Sequence, residues 1–231
     1  MLLEDSQFSR KKVILRNLFF LVPYFFVVIL SAFAIYNHRK TDIHAYLNQF
    51  YHEVFDFFFK YFTHLGDGIF VLLFTIIALL FISKRMAFII SINAIGSGII
   101  TQLLKKYVYH DSMRPAAYMD IPEWREGGIY RLVEGVEMNS FHSFPSGHTT
   151  GAFALLFSIC LYSKNKWVKL SCFIIAALVG YSRVYLSQHY LEDVVAGSLI
   201  AVSFSLLAYL ILYKSLYAKK WLNGPLIKLS K

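Results

Sequence analysis

Six apolar stretches, each close to the length of a bilayer-spanning helix, punctuate this chain and decide most of what it can fold into. A helix needs about 20 consecutive apolar residues to cross the hydrocarbon core of a membrane. Inside lipid every backbone amide must find its partner within the segment, which favours helices. The stretches lie at about 18–36, 66–83, 86–104, 148–163, 167–182 and 190–213. The second and fourth have shorter purely apolar cores. Only 16% of the residues are charged and 57% are hydrophobic, whereas a soluble domain carries nearer a quarter charged. With no internal repeat and no low-complexity linker, the sequence predicts an all-α fold: one integral membrane domain over 1–231, built as a six-transmembrane-helix bundle.

A formal net charge of +9 could point to a nucleic-acid partner, but its placement argues against one. Arg10, Lys11, Lys12 and Arg16 precede the first stretch, and Lys84 and Arg85 join the second to the third. Lys164, Lys166 and Lys169 join the fourth to the fifth; Lys214, Lys219, Lys220, Lys228 and Lys231 follow the sixth. If the spans alternate, all of these fall on one side, the positive-inside pattern with both termini cytoplasmic. Twelve of the 14 acidic residues and all 8 histidines then fall on the other side. The basic surplus reads as topology, with anionic lipid headgroups as a secondary partner and no nucleic acid.

Cys160 and Cys172 lack metal-ligand spacing and read as inert core thiols. The basic stretch, apolar run and Ala32-Phe33-Ala34 near the N-terminus resemble a secretory leader. The run is long for one, and removing it would spoil the charge alternation, so an uncleaved first helix is expected. On the outer side, residues 37–65 mix apolar and charged residues like a helix lying at the interface. Residues 105–147 hold three of the five prolines and a Gly127-Gly128 turn, and read as a loop with short helices over the outer mouth of the bundle.

The chemistry-bearing residues gather on that outer side. His189 and Asp193 are four apart, one helical turn, so the carboxylate can fix the imidazole tautomer and leave the other nitrogen as nucleophile. Taken alone, that spacing also suits an interfacial histidine near an acid. Arg183, beside Ser182, can grip phosphate oxygens with a bidentate guanidinium; on its own it also fits an interfacial snorkelling arginine. Pro145-Ser146-Gly147-His148 before an apolar run looks like a helix start. There Ser146 caps, Gly147 allows close backbone approach, the first amides favour an anion, and His148 is placed to donate a proton.

These segments resemble the type 2 phosphatidic acid phosphatase (PAP2) superfamily, over roughly residues 15–213. Ser182-Arg183, His189 and Asp193 match its third motif, and Pro145-Ser146-Gly147-His148 its second. The first motif is a lysine, six residues, then Arg-Pro. Arg114-Pro115 fits, but Tyr107 occupies the lysine position; Lys106 is one residue too far and Lys105 two. The two lysines would project about 100° apart on a helix, and Lys106 is the one expected to fill the role.

The resemblance implies two-step phosphoryl transfer in which His189 attacks phosphorus and forms a phosphohistidine, with Asp193 orienting it. Arg183, Arg114 and Lys106 neutralise the equatorial oxygens, aided by amides near Ser146, Gly147 and His148. His148 protonates the leaving group and then activates water. Arginines and lysines stand where a divalent ion often would, so neither metal nor other cofactor is expected. The family also implies a bacterial inner-membrane location with a periplasmic site, the interfacial helix and the long loop both being periplasmic, and a phosphorylated membrane lipid as substrate.

The run Phe-His-Ser-Phe-Pro-Ser-Gly-His-Thr is similar to lipid A phosphatases, which implies lipid A, at its 1- or 4'-phosphate. The alternatives are undecaprenyl pyrophosphate, phosphatidylglycerol phosphate, or transfer to an alcohol. Tyr118, Trp124, Arg125, Tyr130 and Arg131 suit a sugar and a second phosphate, although Asp120, Glu123, Glu126, Glu134 and Glu137 between them equally suit a solvated loop. Haloperoxidases share the motifs but are soluble, and a transporter would carry its polar groups nearer the midplane.

Overall fold

The computed structural model describes residues 10–118 and 132–227, and the described chain is helical with no strand among the described residues. Of the sequence-derived features, Asp120, Glu123, Trp124, Arg125, Glu126, the Gly127-Gly128 turn, Tyr130, Arg131, Lys228 and Lys231 lie outside the described residues, as does the side chain of Tyr118. Among the described residues nine α-helices follow in order: α1 Arg10–Arg16, α2 Leu18–Asn37, α3 Lys40–Asn48, α4 Glu53–Phe62, α5 Gly68–Ile77, α6 Lys84–Leu103, α7 Gly147–Tyr162, α8 Lys166–Tyr185 and α9 Leu191–Ala218. Polar caps fix several starts: Asp67 Oδ1 accepts from Ile69 N before α5, and Asn165 Oδ1 accepts from Trp167 N before α8. Each satisfies an amide that the first turn leaves without a helical acceptor.

Among the described residues, four helices are long and apolar enough to cross a membrane: Leu18–Asn37, Lys84–Val108, Lys166–Tyr185 and Leu191–Leu212. A fifth candidate is a broken pair, Glu53–Gly66 and Gly68–Ile82, bent by 62°. The fourth expected stretch corresponds to α7, only 16 residues long. Its shortness has a physical reason. Eleven of its 16 residues are buried, because α6, α8 and α9 surround it, so it is the central post of the bundle rather than a lipid-facing span. By contrast α2 turns Val22, Phe25, Phe26, Ile29 and Phe33 outward, an apolar face suited to lipid.

Between helices in lipid, association rests on close packing and interhelical hydrogen bonds. Asn93 Nδ2 on α6 donates to Ser158 Oγ on α7 at 2.7 Å, and Thr101 and Thr150 hydroxyls meet at 3.1 Å. At the far end, buried Lys169 donates to Asn17 Oδ1 at 2.6 Å and to the Cys160 carbonyl at 2.8 Å, tying α8 to the α1–α2 corner.

The expected interfacial segment at 37–65 is two helices, α3 and α4, rather than one. At the end of α6 the chain widens into a π-helical turn, Leu104–Val108, closed by Tyr109 N donating to the Leu104 carbonyl at 2.8 Å.

Candidate active site

Three segments converge at one end of the bundle. The first is the Leu186–Tyr190 connection between α8 and α9, the second the start of α7, and the third the π-turn together with residues 112–117 and 132–144.

In the connection, Ser187 adopts φ 53, a left-handed conformation that costs a non-glycine residue about 1–2 kcal/mol. Its hydroxyl is held from α3, by His44 Nε2 at 3.2 Å and Asn48 Nδ2 at 3.3 Å, and Asn48 also donates to the Tyr185 carbonyl at 2.8 Å. This tight turn folds the His189 amide back onto the Arg183 carbonyl at 3.0 Å. The helix α9 that follows begins with Asp193 accepting from the Tyr190 amide at 2.9 Å.

His189 Nδ1 lies 3.3 Å from Asp193 Oδ2, and both residues are buried. A proton on Nδ1 donates to the carboxylate and leaves the Nε2 lone pair for a substrate. Ser143 Oγ donates to the same Oδ2, so one carboxylate oxygen collects three donors. Burial first, then Arg114, Arg183, Lys105 and His148, holds the His189 imidazole well below its ordinary pKa. It is therefore neutral at neutral pH, and its contact with Asp193 is a hydrogen bond rather than an ion pair. Behind it, burial pushes His44 down to about 3, with Asp193 opposing.

The second segment holds its amides where an anion can meet them. Ser146 is fully buried and caps α7, accepting from Thr149 N at 3.4 Å and from Thr149 Oγ1 at 2.9 Å. The Ser146 amide donates to the Asp193 carbonyl at 2.9 Å, which joins the two motifs through backbone. Gly197 makes this approach possible, since a Cβ there would stand 2.5 Å from the Ser146 carbonyl oxygen. Gly147 and His148, in the first turn whose amides lack helical acceptors, line the cavity.

The cations come from three elements. Arg183 Nη1 donates to Thr63 Oγ1 at 2.7 Å, while its buried Nε has no partner among the described residues. Arg114 Nε donates to the Phe141 carbonyl at 3.0 Å; burial lowers its pKa against the opposing pull of Asp193, yet a guanidinium stays protonated. Gln188 bridges the two arginines: its Oε1 accepts from Arg114 Nη1 at 3.2 Å and from Arg183 Nη2 at 3.5 Å.

For the lysine, both candidates line the cavity, and the structure buries the one not expected to fill the role. Lys105, not Lys106, is the buried one, with Nζ donating to the His142 carbonyl at 2.7 Å. His142 has φ 58, which turns that carbonyl toward both Lys105 and Arg114 Nη2 at 3.5 Å. Lys106 is exposed, its Nζ 5.5 Å from the Tyr107 ring. The π-turn takes up one additional residue without ending the helix, one of the two by which Lys105 exceeds the motif spacing.

All of the predicted residues that reach solvent share one cavity of about 1010 Å³, whose wall includes Lys105, Arg114, His148, Arg183 and His189. Such a site can bind an oxyanion, present a nucleophilic imidazole and supply a second histidine for proton transfer. Sequence reasoning missed Gln188, Ser143, Thr63, His44 and Asn48. Gln188 and Ser143 stand beside motif residues, whereas nothing in the sequence links Thr63, His44 or Asn48 to the site.

Comparison with known proteins agrees with this geometry. The lipid A 1-phosphatase of Rhizobium johnstonii is 31% identical over 121 residues, 52% of this chain and 45% of that protein. The undecaprenyl-diphosphatase BcrC of Bacillus subtilis is 38% identical over 60 residues, 26% of this chain and 30% of that protein. The chain thus spans less than half the length of either relative. The crystal structure of Aquifex aeolicus LpxE superposes with a TM-score of 0.59 at 25% identity, covering 72% of this chain and 92% of that one. The family model described as the PAP2 superfamily matches residues 86–217, more than half of the chain and the whole of the site apart from Thr63, His44 and Asn48. The chain belongs to the PAP2 superfamily.

Proposed function

We propose that the chain is a membrane lipid phosphatase that removes a phosphate from a lipid headgroup, with lipid A as substrate at its 1- or 4'-phosphate. The observation that carries this reading is the neutral His189, oriented by Asp193 and Ser143, in a cavity walled by Arg114, Arg183 and Lys105. His189 Nε2 attacks phosphorus, and the bond to the lipid oxygen breaks as His148 supplies its proton. Arg183, Arg114 and Lys105, with the amides of Ser146, Gly147 and His148, spread the charge of the equatorial oxygens. Water, deprotonated by the now neutral His148, then attacks the phosphohistidine and breaks the N–P bond, releasing inorganic phosphate and restoring a neutral His189 and a protonated His148. The cations do the work of charge neutralisation, so activity persists in EDTA.

The location that fits is a bacterial inner membrane, with six spans, both termini cytoplasmic and the site toward the periplasm. Lys84, Arg85, Lys164 and Lys166 gather at the end of the bundle opposite His189, as the positive-inside bias requires. A cytoplasmic reporter fused at the C-terminus is expected to be active.

The relative named as a lipid A 1-phosphatase matches over twice the length of the undecaprenyl-diphosphatase, which favours the lipid A reading. The decisive assay offers purified lipid A, undecaprenyl pyrophosphate and phosphatidylglycerol phosphate separately to the detergent-solubilised protein and follows phosphate release. Preference for the polyprenyl diphosphate would overturn the choice of lipid. Phosphate appearing on an added alcohol acceptor instead of in water would make the protein a transferase. No phosphate release from any of them, with His189→Ala indistinguishable from the wild type, would sink the phosphatase reading.

A further inference from the structure

The connection that carries His189 is built around a residue that its backbone conformation disfavours. Ser187 N donates to the Val184 carbonyl at 3.0 Å and Gln188 N to the Arg183 carbonyl at 2.9 Å, the pair of bonds of a Schellman closure at the end of α8. Ser187 stands at the left-handed position of that closure, φ 53, where glycine is usual because it carries no Cβ. The His189 amide adds a third bond, to the same Arg183 carbonyl at 3.0 Å. One carbonyl thus ties the backbone of Arg183 to that of His189, and the turn at Ser187 decides how their side chains stand to each other.

A serine at this position calls for a physical cause, and α3 supplies one. Of the three buried side chains of α3, two are polar, His44 and Asn48, an unfavourable choice unless each finds a partner. They stand four apart, on one helix face, and converge on the turn. His44 Nε2 lies 3.2 Å from Ser187 Oγ, and Asn48 Nδ2 donates to the same oxygen at 3.3 Å. Asn48 Nδ2 also donates to the Tyr185 carbonyl at 2.8 Å, and the His44 ring packs edge-on with the Tyr190 ring, centroids 5.5 Å apart. The helix α3 therefore holds the connection at Tyr185, Ser187 and Tyr190, on both sides of His189. Both side chains reach the one atom that glycine would lack, the Ser187 hydroxyl. His44, Asn48 and Ser187 are buried, and none of them is on the wall of the catalytic cavity.

We infer that His44 and Asn48 are positioning residues: through the Ser187 hydroxyl they hold the left-handed turn that sets His189 against Arg183 and Asp193. The inference rests on the phosphatase reading above and adds to it two residues outside the stretch that the family model matches.

The test begins with Ser187→Ala and Ser187→Gly. Both remove the hydroxyl, but alanine must then keep φ 53 without support, whereas glycine takes it freely. A misplacement of about 1 Å can cost about a hundredfold in rate. Ser187→Ala is accordingly expected to lower kcat on a phosphorylated lipid at least about tenfold with KM within about twofold, and Ser187→Gly to keep kcat within about threefold. Asn48→Ala and His44→Leu are each expected to lose about tenfold in kcat, and less than about threefold when Ser187→Gly is already present. Equal kcat in Ser187→Ala and Ser187→Gly overturns the inference. So do losses in the α3 variants that Ser187→Gly leaves unrelieved. Should the α3 variants not fold, the two Ser187 variants decide alone.

A readout without turnover separates this role from the phosphatase reading: the His189 ring, followed by nuclear magnetic resonance in protein carrying isotope-labelled histidine and assigned by its absence from His189→Gln. The wild type and Ser187→Gly are expected to show one tautomer, with Nδ1–H donated to Asp193, and Ser187→Ala a mixture of two. That pattern supports the positioning role even if no phosphate is ever released. A single tautomer in all three overturns it even if the wild type proves to be a phosphatase.

Discussion

Replacing Lys105 with Met tests the assignment that most separates the structure from the sequence. Methionine keeps the apolar stem and removes only the ammonium, so the cavity wall stays filled. In the fold, the change loses the 2.7 Å bond from Nζ to the His142 carbonyl. That carbonyl keeps Arg114 Nη2 at 3.5 Å, so the structural loss is about 1 kcal/mol, a melting shift of about 2–4 °C for a chain of this size. In the reaction, the change loses one preorganised cation at the developing charge, worth about a hundred- to a thousandfold in kcat. Lys106→Met removes an exposed charge, worth at most about 1 kcal/mol, and is expected to cost less than about fivefold on a monophosphorylated lipid. The assay is phosphate release in detergent micelles, read beside thermal unfolding of both variants. The reasoning is refuted if Lys106→Met loses as much kcat as Lys105→Met, or if Lys105→Met stays within threefold of the wild type.

Other outcomes follow from the same geometry. Asp193→Asn keeps the shape but removes the charge that fixes the His189 tautomer, and is expected to lower kcat by about a thousandfold or more; Ser143→Ala, which removes one of three donors to that carboxylate, should lower it about tenfold. Because His189 is held below an ordinary histidine, the acid limb of kcat/KM that its protonation sets should lie below the ordinary histidine range, under about pH 6. Arg114→Gln removes the strongest of the charges that depress it, so the acid limb should move to higher pH. For stability the sign is the same: the unfolded chain takes up the proton first, so the contribution of a neutral His189 is complete above about pH 6.5 and is lost as pH falls below it. Gly197→Ala would press a methyl against the Ser146 carbonyl, costing about 1–3 kcal/mol and at least tenfold in rate. Gly98→Ala, with open space around it, should leave the rate within twofold.

How much of this was legible in the sequence differs by element. The apolar stretches placed the long helices to within a few residues, because period and length are local properties. They marked the stretch that becomes α7 as having a shorter apolar core yet counted it among the spans, since burial on all sides by α6, α8 and α9 is a tertiary fact that its own residues do not encode. The second and third motifs located Ser146, Gly147, His148, Arg183, His189 and Asp193, and the structure brings them to one cavity wall or directly behind it. The first motif pointed to Lys106, whereas the structure buries Lys105. Spacing counts residues along a regular helix, and the π-turn at Leu104–Val108 changes how many residues fit in a turn. Thr63, His44 and Asn48 act across 120, 143 and 139 positions of sequence, where no local pattern could reveal them.

The elbow between α4 and α5 has a mechanical consequence. Gly66 lies so close to the His148 carbonyl that a methyl group could not fit between them, and Gly151 lies against the Gly66 carbonyl. The 62° bend is therefore braced on the backbone of His148, the proposed proton donor. If α5 crosses the bilayer while α4 floats at its surface, the depth at which α4 settles becomes a lever arm on His148. A thinner or thicker membrane, which helices meet by tilting, would load that lever before it disturbed any other part of the site. The lipid that surrounds the protein would then tune the turnover of the lipid that enters it.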